Sequence, residues 1–340
     1  MNQNDLKTDT TPGLSAAAVY YLLNILLFPI TLTGYVLMSV SFIAGRKSAV
    51  SGTALAPLTG RWLLHNLGSR QDEPANRLMM AMAGLSVSLT LGPMVFAHRV
   101  SGYVPKAYRY PFQGEITLGN QGGARQTIFD SVVEQYLPKI TQFVILGAGF
   151  DTRALRLKGT PEYTSVRSFE IDTPATLAFK RERLAKAGID STGVTFVPAD
   201  FEKEDWLDRL IHAGFNPSQP ALFIWEGVVP YLDQEAVKDT LRKIASTAKG
   251  SGATRGSVVA FDYFTSEVLE SQALSMRSVR ASLSAAGEPL KFGVDSTPPL
   301  RERITELLQS CGLSLVEQRT LGKETGGKRA WGGFTIATVK

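Results

Sequence analysis

Short apolar runs alternate with amphipathic segments from about residue 126 to residue 311, and this alternation constrains the fold more than any other feature. The apolar runs predict strands at residues 142–146, 168–171, 194–197, 221–225 and 257–261. Helical periodicity and capping signals predict helices at residues 126–137, 174–187, 206–213, 236–245 and 300–311. Repeated strand–helix units form a parallel sheet with helices on both faces, so the sequence predicts a doubly wound α/β fold.

The end of the chain departs from this alternation. Two further strand candidates, residues 313–320 and 333–339, follow each other with no helix between them. Strands joined in this way pair antiparallel. We therefore expect a seven-stranded, mainly parallel sheet that a terminal antiparallel hairpin completes.

Composition excludes several kinds of site. The single cysteine, Cys311, cannot form an internal disulfide, and three histidines without a Cys/His cluster provide no conventional zinc site. The net charge is +5, but lysines and arginines are scattered among nearly as many acids. We expect a reducing compartment, no metal and no nucleic-acid partner.

The first hydrophobic stretch, residues 14–45, contains no charged residue. It exceeds the roughly 20 residues that span a bilayer, and it lacks the basic start of a signal peptide. Pro29 lies in its middle, so the stretch forms a kinked spanning helix, a hairpin in one leaflet or a buried core helix. We expect membrane and lipid contact here, and Arg46 and Lys47 place the rest of the chain on the cytoplasmic side.

A second uncharged stretch, residues 78–97, is interrupted by Gly84, Gly92 and Pro93. We expect it to cover an apolar pocket or to lie on the membrane surface. In the second case, cationic groups at His98, Arg99, Lys106 and Arg109 would meet lipid headgroups. The expected organisation is a tail and hydrophobic segment (1–47), a helical cap (48–124) and a catalytic domain (125–340).

A glycine-rich turn follows the first strand of the α/β region. Gly147 and Gly149 allow backbone amides to approach a ligand closely. Thr152 stands where a dinucleotide-binding motif would have its third glycine, which disfavours a pyrophosphate. Asp151 beside the turn would repel phosphates but suits a ligand with sulfonium and α-ammonium groups.

Acidic residues also end the second and third strands. Asp172 can accept hydrogen bonds from both hydroxyls of a ribose, whereas Glu170 is interpreted as structural. Asp200 can accept from an adenine amino group while Phe201 packs on the base, although Asp200 could equally cap a helix. Arg125, before the first long helix, is a candidate to bind an amino-acid carboxylate, because guanidinium and carboxylate pair through two hydrogen bonds.

The fourth and fifth strands end in residues that could contact a reacting group. Glu226 follows the most apolar strand of the chain, and Tyr231 lies five residues later. Asp262 and Tyr263 end the fifth strand in the equivalent place. An acid at such a position is costly unless it has a function, because ligands of these folds bind there.

Four motifs in this order resemble one family. The strings FVILGAGFDTRALRL, FEIDTPATLAFKRERL, VPADFEKEDW and ALFIWEGVVPYLDQEAV are similar to the leucine carboxyl methyltransferase-like family of class I S-adenosylmethionine-dependent methyltransferases, which have a Rossmann-like fold. The resemblance covers roughly residues 72–340 and implies S-adenosylmethionine as the cofactor. It implies cofactor-binding roles for Arg125, Gly147, Gly149, Asp172, Asp200, Phe201 and Glu226. Pro230 is a mild departure from the family pattern.

The resemblance leaves the methyl acceptor open. The two uncharged stretches and an insertion at residues 265–299 predict an apolar acceptor pocket with Met79, Met82, Phe96 and Tyr263 in its wall. We expect O-methylation of a hydrophobic small molecule or lipid-like acid or alcohol. A hydroxyl acceptor would need a general base, for which Asp262, Tyr263, Tyr231 and His65 are candidates. The alternatives are methylation of a protein C-terminal carboxylate, a cofactor-binding module without transfer activity, and a nicotinamide-dependent oxidoreductase.

Overall fold

A seven-stranded sheet forms the centre of the protein in a computed structural model that describes residues 14–45, 54–117, 120–250, 256–285, 287–325 and 327–339. The strands are β1 (Gln142–Leu146), β2 (Arg167–Asp172), β3 (Val194–Pro198), β4 (Ala221–Trp225), β5 (Val258–Phe264), β6 (Leu313–Leu321) and β7 (Gly332–Val339). Their order across the sheet is β3-β2-β1-β4-β5-β7-β6. All seven predicted strands are present, with ends that differ by a few residues.

The pairing pattern confirms the predicted fold class. β1 pairs in parallel with both β2 and β4, and β7 pairs antiparallel with β5 and β6. The strand order reverses between β1 and β4, which opens a crevice at the carboxyl ends of these strands. This is the class I methyltransferase arrangement, a Rossmann-like sheet with a terminal antiparallel hairpin.

Twelve α-helices surround the sheet in the described part of the chain. They are α1 (Leu14–Leu26), α2 (Phe28–Gly45), α3 (Leu55–Asn66), α4 (Glu73–Ser101), α5 (Gln121–Tyr136), α6 (Arg153–Leu157), α7 (Pro174–Lys186), α8 (Trp206–His212), α9 (Gln234–Ala245), α10 (Ser266–Glu270), α11 (Leu274–Ala285) and α12 (Leu300–Ser310). Residue 125, the expected start of the catalytic domain, lies inside α5. The predicted insertion contains α10 and α11.

The hydrophobic core lies on both faces of the sheet. Successive β1 side chains alternate between the two faces, so that Val144 and Leu146 pack in one cluster and Phe143 and Ile145 in the other. Every residue of β1 and β4 is buried. Because the central strands are rigidly held, the crevice at their carboxyl ends has a well-defined geometry.

The N-terminal helices form a third layer. α4 begins at Asp72, whose side chain accepts the Ala75 amide, and ends at Gly102 in the left-handed conformation. It bends at Ala83 and is 29 residues long, so its length and apolar character would allow it to cross a membrane. α1 and the first part of α2 are long and apolar enough to cross a membrane only when they are taken together, and their axes differ by 58°.

Candidate active site

The glycine-rich turn has the backbone geometry that the sequence predicts. Gly147 and Gly149 have φ values of 64° and 45°, in the left-handed region that favours glycine. A Cβ at Gly147 would lie 2.3 Å from Cγ2 of Val228, which follows β4. The turn therefore needs glycine for its conformation, and at Gly147 also for the close approach of β1 and β4.

The carboxylate of Asp172 joins this turn to the end of β2. Its Oδ2 accepts the backbone N–H of Gly149 at 2.7 Å, and its Oδ1 accepts that of Thr173 at 2.7 Å. Burial raises the pKa of Asp172, and the two backbone hydrogen bonds oppose this effect. Each carboxylate oxygen retains a further lone pair with which it can accept a ligand hydroxyl.

A cavity of about 930 Å³ opens over the turn and the carboxyl ends of β1, β2 and β4. Tyr231 and all eight candidate cofactor residues line it; the eight are Arg125, Gly147, Gly149, Asp151, Asp172, Asp200, Phe201 and Glu226. Ser282, Leu283, Gly287 and Glu288 of the insertion form a further part of the wall. The volume lies near the upper end of the range for small-molecule sites, which suits a nucleoside cofactor together with a second ligand.

Arg125 presents nitrogen donors to this cavity. Its Nη1 lies 3.3 Å from Oδ2 of Asp262, and its Nε lies 3.6 Å from Oε1 of Glu226. Nε is buried and makes no hydrogen bond within the described residues. A ligand carboxylate would satisfy such a donor, so Arg125 fits the carboxylate-binding role that the family resemblance implies.

Asp262 supports Arg125 rather than lining the cavity. Its Oδ1 accepts the backbone N–H of Gly227 at 2.6 Å, and its other oxygen faces the Arg125 guanidinium. Burial raises the pKa of Asp262, while the Arg125 charge lowers it. These contacts fix the loop after β4 relative to Arg125.

Glu226 receives hydrogen bonds from three side chains. Arg153 donates to it at 2.6 Å, Gln126 at 2.8 Å and Arg61 at 3.2 Å. Its side chain is buried although the carboxylate lines the cavity. Glu226 therefore holds together side chains from α3, α5 and α6 at the floor of the site.

Asp151 is paired more tightly than the sequence suggests. It accepts from Nη2 of Arg61 at 2.7 Å and from Nη1 of Arg153 at 2.6 Å. Burial alone would raise the pKa of Asp151, but the charges of Arg153 and Arg61 outweigh it and hold the pKa well below its usual range. The carboxylate remains negative but is largely neutralised by the two arginines.

Arg61 is the site residue that sequence reasoning missed. From the sequence, Arg61 follows Arg46 and Lys47 and indicates only a further positive charge beside the membrane segment. In the structure its side chain is buried, lines the cavity and contacts Gln126, Asp151 and Glu226. An arginine on the apolar helix α3 was the available signal, because a buried arginine requires acidic partners.

A buried lysine–glutamate pair lies beneath the glycine-rich turn. Lys180 donates to the carboxylate of Glu170 at 2.5 Å and to the backbone carbonyl of Asp151 at 2.6 Å. Burial raises the pKa of Glu170 to about 7, although Lys180 opposes the shift. Glu170 does not line the cavity and has the structural position expected for it.

Asp200 and Phe201 lie on the cavity wall after β3. Asp200 accepts the Glu202 amide at 3.0 Å and the Lys203 ammonium at 2.8 Å. The Phe201 ring packs against Trp206, with 6.1 Å between ring centroids. Both residues can therefore face a base bound in the cavity.

The structure does not bring Tyr263 into the cavity. Side chains alternate along a strand, so Tyr263 points to the face opposite Asp262. It is fully buried, its hydroxyl accepts from Gln318 at 2.9 Å, and burial raises its pKa to about 12. A contact with a reacting group is therefore not available to Tyr263 in this structure.

The other expected acceptor residues also lie away from the cavity. Met79 is fully buried in the cluster between α3 and α4, and Met82 packs at the edge of the same cluster. Phe96 is about half exposed. His65 accepts the Asp72 amide through Nδ1 at 3.0 Å, outside the cavity wall. The apolar part of the wall comes instead from residues such as Ala56, Pro57, Val228, Leu232, Phe264 and Leu283.

Comparisons with known proteins concern the family of the chain. The family model for leucine carboxyl methyltransferase matches residues 112–245. A Streptomyces avermitilis protein named for S-adenosyl-L-methionine-dependent methyltransferase activity is 32% identical over 204 residues, which cover 52% of this chain and 69% of that protein. The chain belongs to the leucine carboxyl methyltransferase-like family. This methyltransferase therefore uses S-adenosylmethionine as its cofactor.

Two further similarities concern other relatives. A Mycolicibacterium smegmatis protein with the same type of name is 36% identical over 157 residues, which cover 46% of this methyltransferase and 45% of the relative. A solved structure of a DUF574 family protein from Streptomyces avermitilis is 14% identical with a TM-score of 0.44, covering 87% of this chain and 99% of that one.

Among the residues that the structure describes, no group of His, Cys, Asp and Glu could hold a metal ion.

Proposed function

We propose that this methyltransferase methylates an oxygen atom of a hydrophobic small-molecule or lipid-like acceptor at a membrane surface. The observation that carries the proposal is the position of the 930 Å³ cavity. Its wall combines the glycine-rich turn and Asp172 with apolar side chains of α3 and the insertion, such as Ala56, Pro57 and Leu283. Such a cavity can hold the cofactor and an apolar acceptor side by side.

Several polar groups of the cavity wall suit the cofactor. Arg125 can pair with the cofactor carboxylate, Asp172 with the ribose hydroxyls, and Asp200 with the adenine amino group. When bound there, S-adenosylmethionine supplies an electrophilic methyl group on its sulfonium. The residues of this chain then contribute orientation, because Asp172 and the glycine-rich turn hold each other by hydrogen bonds.

The charges of the cavity wall favour an apolar acceptor over the C-terminal tail of a protein. Glu202 and Glu288 lie in the wall, and the two wall arginines, Arg61 and Arg125, already contact acids. A protein C-terminal carboxylate would call for an unpaired basic groove, and the wall contains none among the described residues. An acceptor with an apolar body places little charge near these acids and loses little hydration on binding.

Membrane contact is the second part of the proposal. α1 and α2 expose large apolar side chains, among them Leu22, Ile25, Leu26 and Phe28. Exposed apolar patches of this extent are typical of protein or membrane contact surfaces. The cations Arg46 and Lys47, which lie outside the described residues, favour a catalytic domain on the cytoplasmic side.

A methyl-transfer assay tests the acceptor class. Labelled S-adenosylmethionine is incubated with the full-length protein and, in parallel, with a lipid extract, an aqueous extract or a synthetic peptide ending in leucine. We expect label in an organic-soluble product of the lipid extract. Label in the peptide alone would contradict the proposed acceptor, and binding of the cofactor without any transfer would favour a binding module.

A further inference from the structure

The long apolar helix α4 packs on α3 and on the α1–α2 pair, and it also contacts α6 and α7 of the catalytic domain. Five of its buried side chains, the first Ala75 and the last Val95, belong to one cluster with side chains of α3, α6 and α7. These contacts lie on both sides of the bend at Ala83. A membrane-spanning helix places about 20 residues in lipid, so α4 cannot cross a bilayer while it keeps these contacts.

Both ends of α4 are also attached to the domain. Near its start, Arg77 donates to the backbone carbonyls of Ala187 at 2.6 Å and Gly188 at 2.8 Å. After its end, Tyr108 packs against the same cluster as α4, and the carbonyl of Ala107 lies against Gly123 of α5. The two ends of a spanning helix would lie on opposite sides of the membrane, whereas these lie on one domain.

α1 and α2 pack on α4 and run in the opposite direction. Tyr20 of α1 clusters with Ala97, and Gly34 of α2 lies so close to α4 that a Cβ there would be 2.4 Å from the Thr90 nitrogen. Tyr20 precedes Gly34 in the chain, but Ala97 follows Thr90. The α1–α2 pair therefore follows α4, whose start and end both lie at the domain.

The outward side of this pair is apolar. Leu22, Ile25, Leu26, Phe28, Ile30 and Leu32 are each at least 43% exposed. No aspartate, glutamate, lysine or arginine occurs between residues 14 and 45. Hydrocarbon is the environment that suits an uncharged surface of this kind.

One exposed tyrosine, Tyr21, and one cation, Arg109, lie close to the buried Tyr103 ring beside the apolar surface of α1. Tyr20, Tyr21 and Tyr103 form an aromatic group with centroid distances of 5.2 to 5.7 Å, and the Arg109 guanidinium lies 5.9 Å from the Tyr103 ring centre. Tyrosine is enriched at the level of lipid headgroups, and arginine pairs with anionic headgroups. Charge and aromatic placement both match a lipid surface.

We propose that α1 and α2 lie within one leaflet, parallel to the membrane plane, with both ends on the side of the catalytic domain. This rests on the membrane contact of the proposed function and excludes a spanning segment. The bend of 58° between α1 and α2 then serves to follow α4 rather than to kink a transmembrane helix. The occupant of the exposed surface is a lipid bilayer.

Thiol labelling of the full-length protein on vesicles tests this placement. The only native cysteine, Cys311, is buried, so the folded chain offers no other reactive thiol. Single variants Ser15→Cys, Ser48→Cys and Ile25→Cys are bound to vesicles of phosphatidylcholine and phosphatidylglycerol, and a membrane-impermeant maleimide is added outside. Ser218→Cys on an exposed loop of the catalytic domain is the reference, and the wild-type protein reports the background of Cys311.

We expect Ser15→Cys and Ser48→Cys to react within about twofold of the rate of Ser218→Cys, and Ile25→Cys to react at least about tenfold more slowly until detergent is added. A Ser15→Cys thiol that reacts only after detergent would show a spanning segment and overturn the proposal. So would an Ile25→Cys thiol on bound protein that reacts as fast as the reference.

Cosedimentation in the same samples separates this proposal from the proposed function. Protein that stays in the supernatant would overturn the leaflet placement together with the membrane contact. Methyl transfer to a detergent-dispersed lipid extract would still report on the acceptor class, because that assay does not depend on vesicle binding.

Discussion

Arg61 of α3 donates a hydrogen bond to Asp151 at 2.7 Å, across 90 positions of the chain. This contact joins the N-terminal helices to the glycine-rich turn of the cofactor site. The side chains of both residues are buried, so each charge depends on the other for compensation. The N-terminal helices are therefore part of the candidate active site as well as a candidate membrane surface.

Replacing Arg61 should damage both stability and cofactor binding. Arg61→Ala leaves Asp151 and Glu226 with fewer donors, and breaking a buried pair in this way costs about 3 to 5 kcal/mol. We expect a lower urea midpoint, and in the folded fraction a weaker affinity for S-adenosylmethionine by isothermal titration. The matched control is Arg209→Ala, which removes an exposed ion pair with Glu204. Equal behaviour of the two variants would contradict the assigned role of Arg61.

Asp172 should be required for cofactor affinity. Asp172→Ala removes the acceptor for the Gly149 and Thr173 amides and the proposed ribose contacts, so the binding free energy should fall by on the order of 2 to 3 kcal/mol. Asp190→Ala, which removes an exposed carboxylate paired with Lys158, serves as the control. Isothermal titration measures both. An unchanged dissociation constant in Asp172→Ala would remove Asp172 from the site.

Gly147 should tolerate no side chain. Gly147→Ala places a methyl group 2.3 Å from Val228. Gly159 also has a positive φ, 88°, but a methyl group added there by Gly159→Ala would have no atom within 4 Å. Both variants carry the backbone cost of about 1 kcal/mol, but only Gly147→Ala displaces β4 from the turn. We expect cofactor binding to be lost in Gly147→Ala alone and partly restored when Val228→Ala is added. Similar binding by both single variants would show that the collision is unimportant.

The two tyrosines proposed for the acceptor site should differ. Tyr263→Phe removes the hydrogen bond with Gln318 and should lower the free energy of unfolding by about 1 kcal/mol with kcat unchanged. Tyr231 lines the cavity, so Tyr231→Phe should change kcat or the acceptor KM. Steady-state kinetics with the acceptor found in the extract assay compares them. A large fall in kcat for Tyr263→Phe would reinstate Tyr263 as a catalytic residue.

Glu170 should make stability depend on pH. Burial raises its pKa from 4.5 to about 7, so between these values the folded protein holds the proton more tightly than the unfolded chain. Stability should then fall as pH rises through this window and level off above pH 7, by at most about 3 kcal/mol at 1.36 kcal/mol per pKa unit. Urea unfolding from pH 5 to pH 8 measures the slope. Glu170→Gln should lack this contribution. An identical slope in the wild-type protein and in Glu170→Gln would show that Glu170 is not its source.

The sequence alone was sufficient for the fold, and it predicted that the candidate cofactor residues meet at one edge of the sheet. Strand and helix positions depend on local periodicity, and the ends of β1, β2 and β4 lie within one residue of the predictions. Asp172 and Gly147 were predictable because the carboxyl ends of neighbouring parallel strands meet at one edge of the sheet. These properties are local or follow from simple topology. The lipid contact, the acceptor and the assigned site roles stay predictions.

Only the tertiary structure decided which charges meet and which surfaces remain exposed. The pairing of Arg61 with Asp151 has no local signal, because it depends on how α3 packs against the sheet. Met79 and Phe96 lie away from the cavity for the same reason, since the rotation of α4 is set by its contacts with other helices. Hydropathy likewise gives α4 and the α1–α2 pair a similar apolar character. Long-range packing buries α4 between α3 and the α1–α2 pair and leaves the outer face of α1 and α2 uncovered.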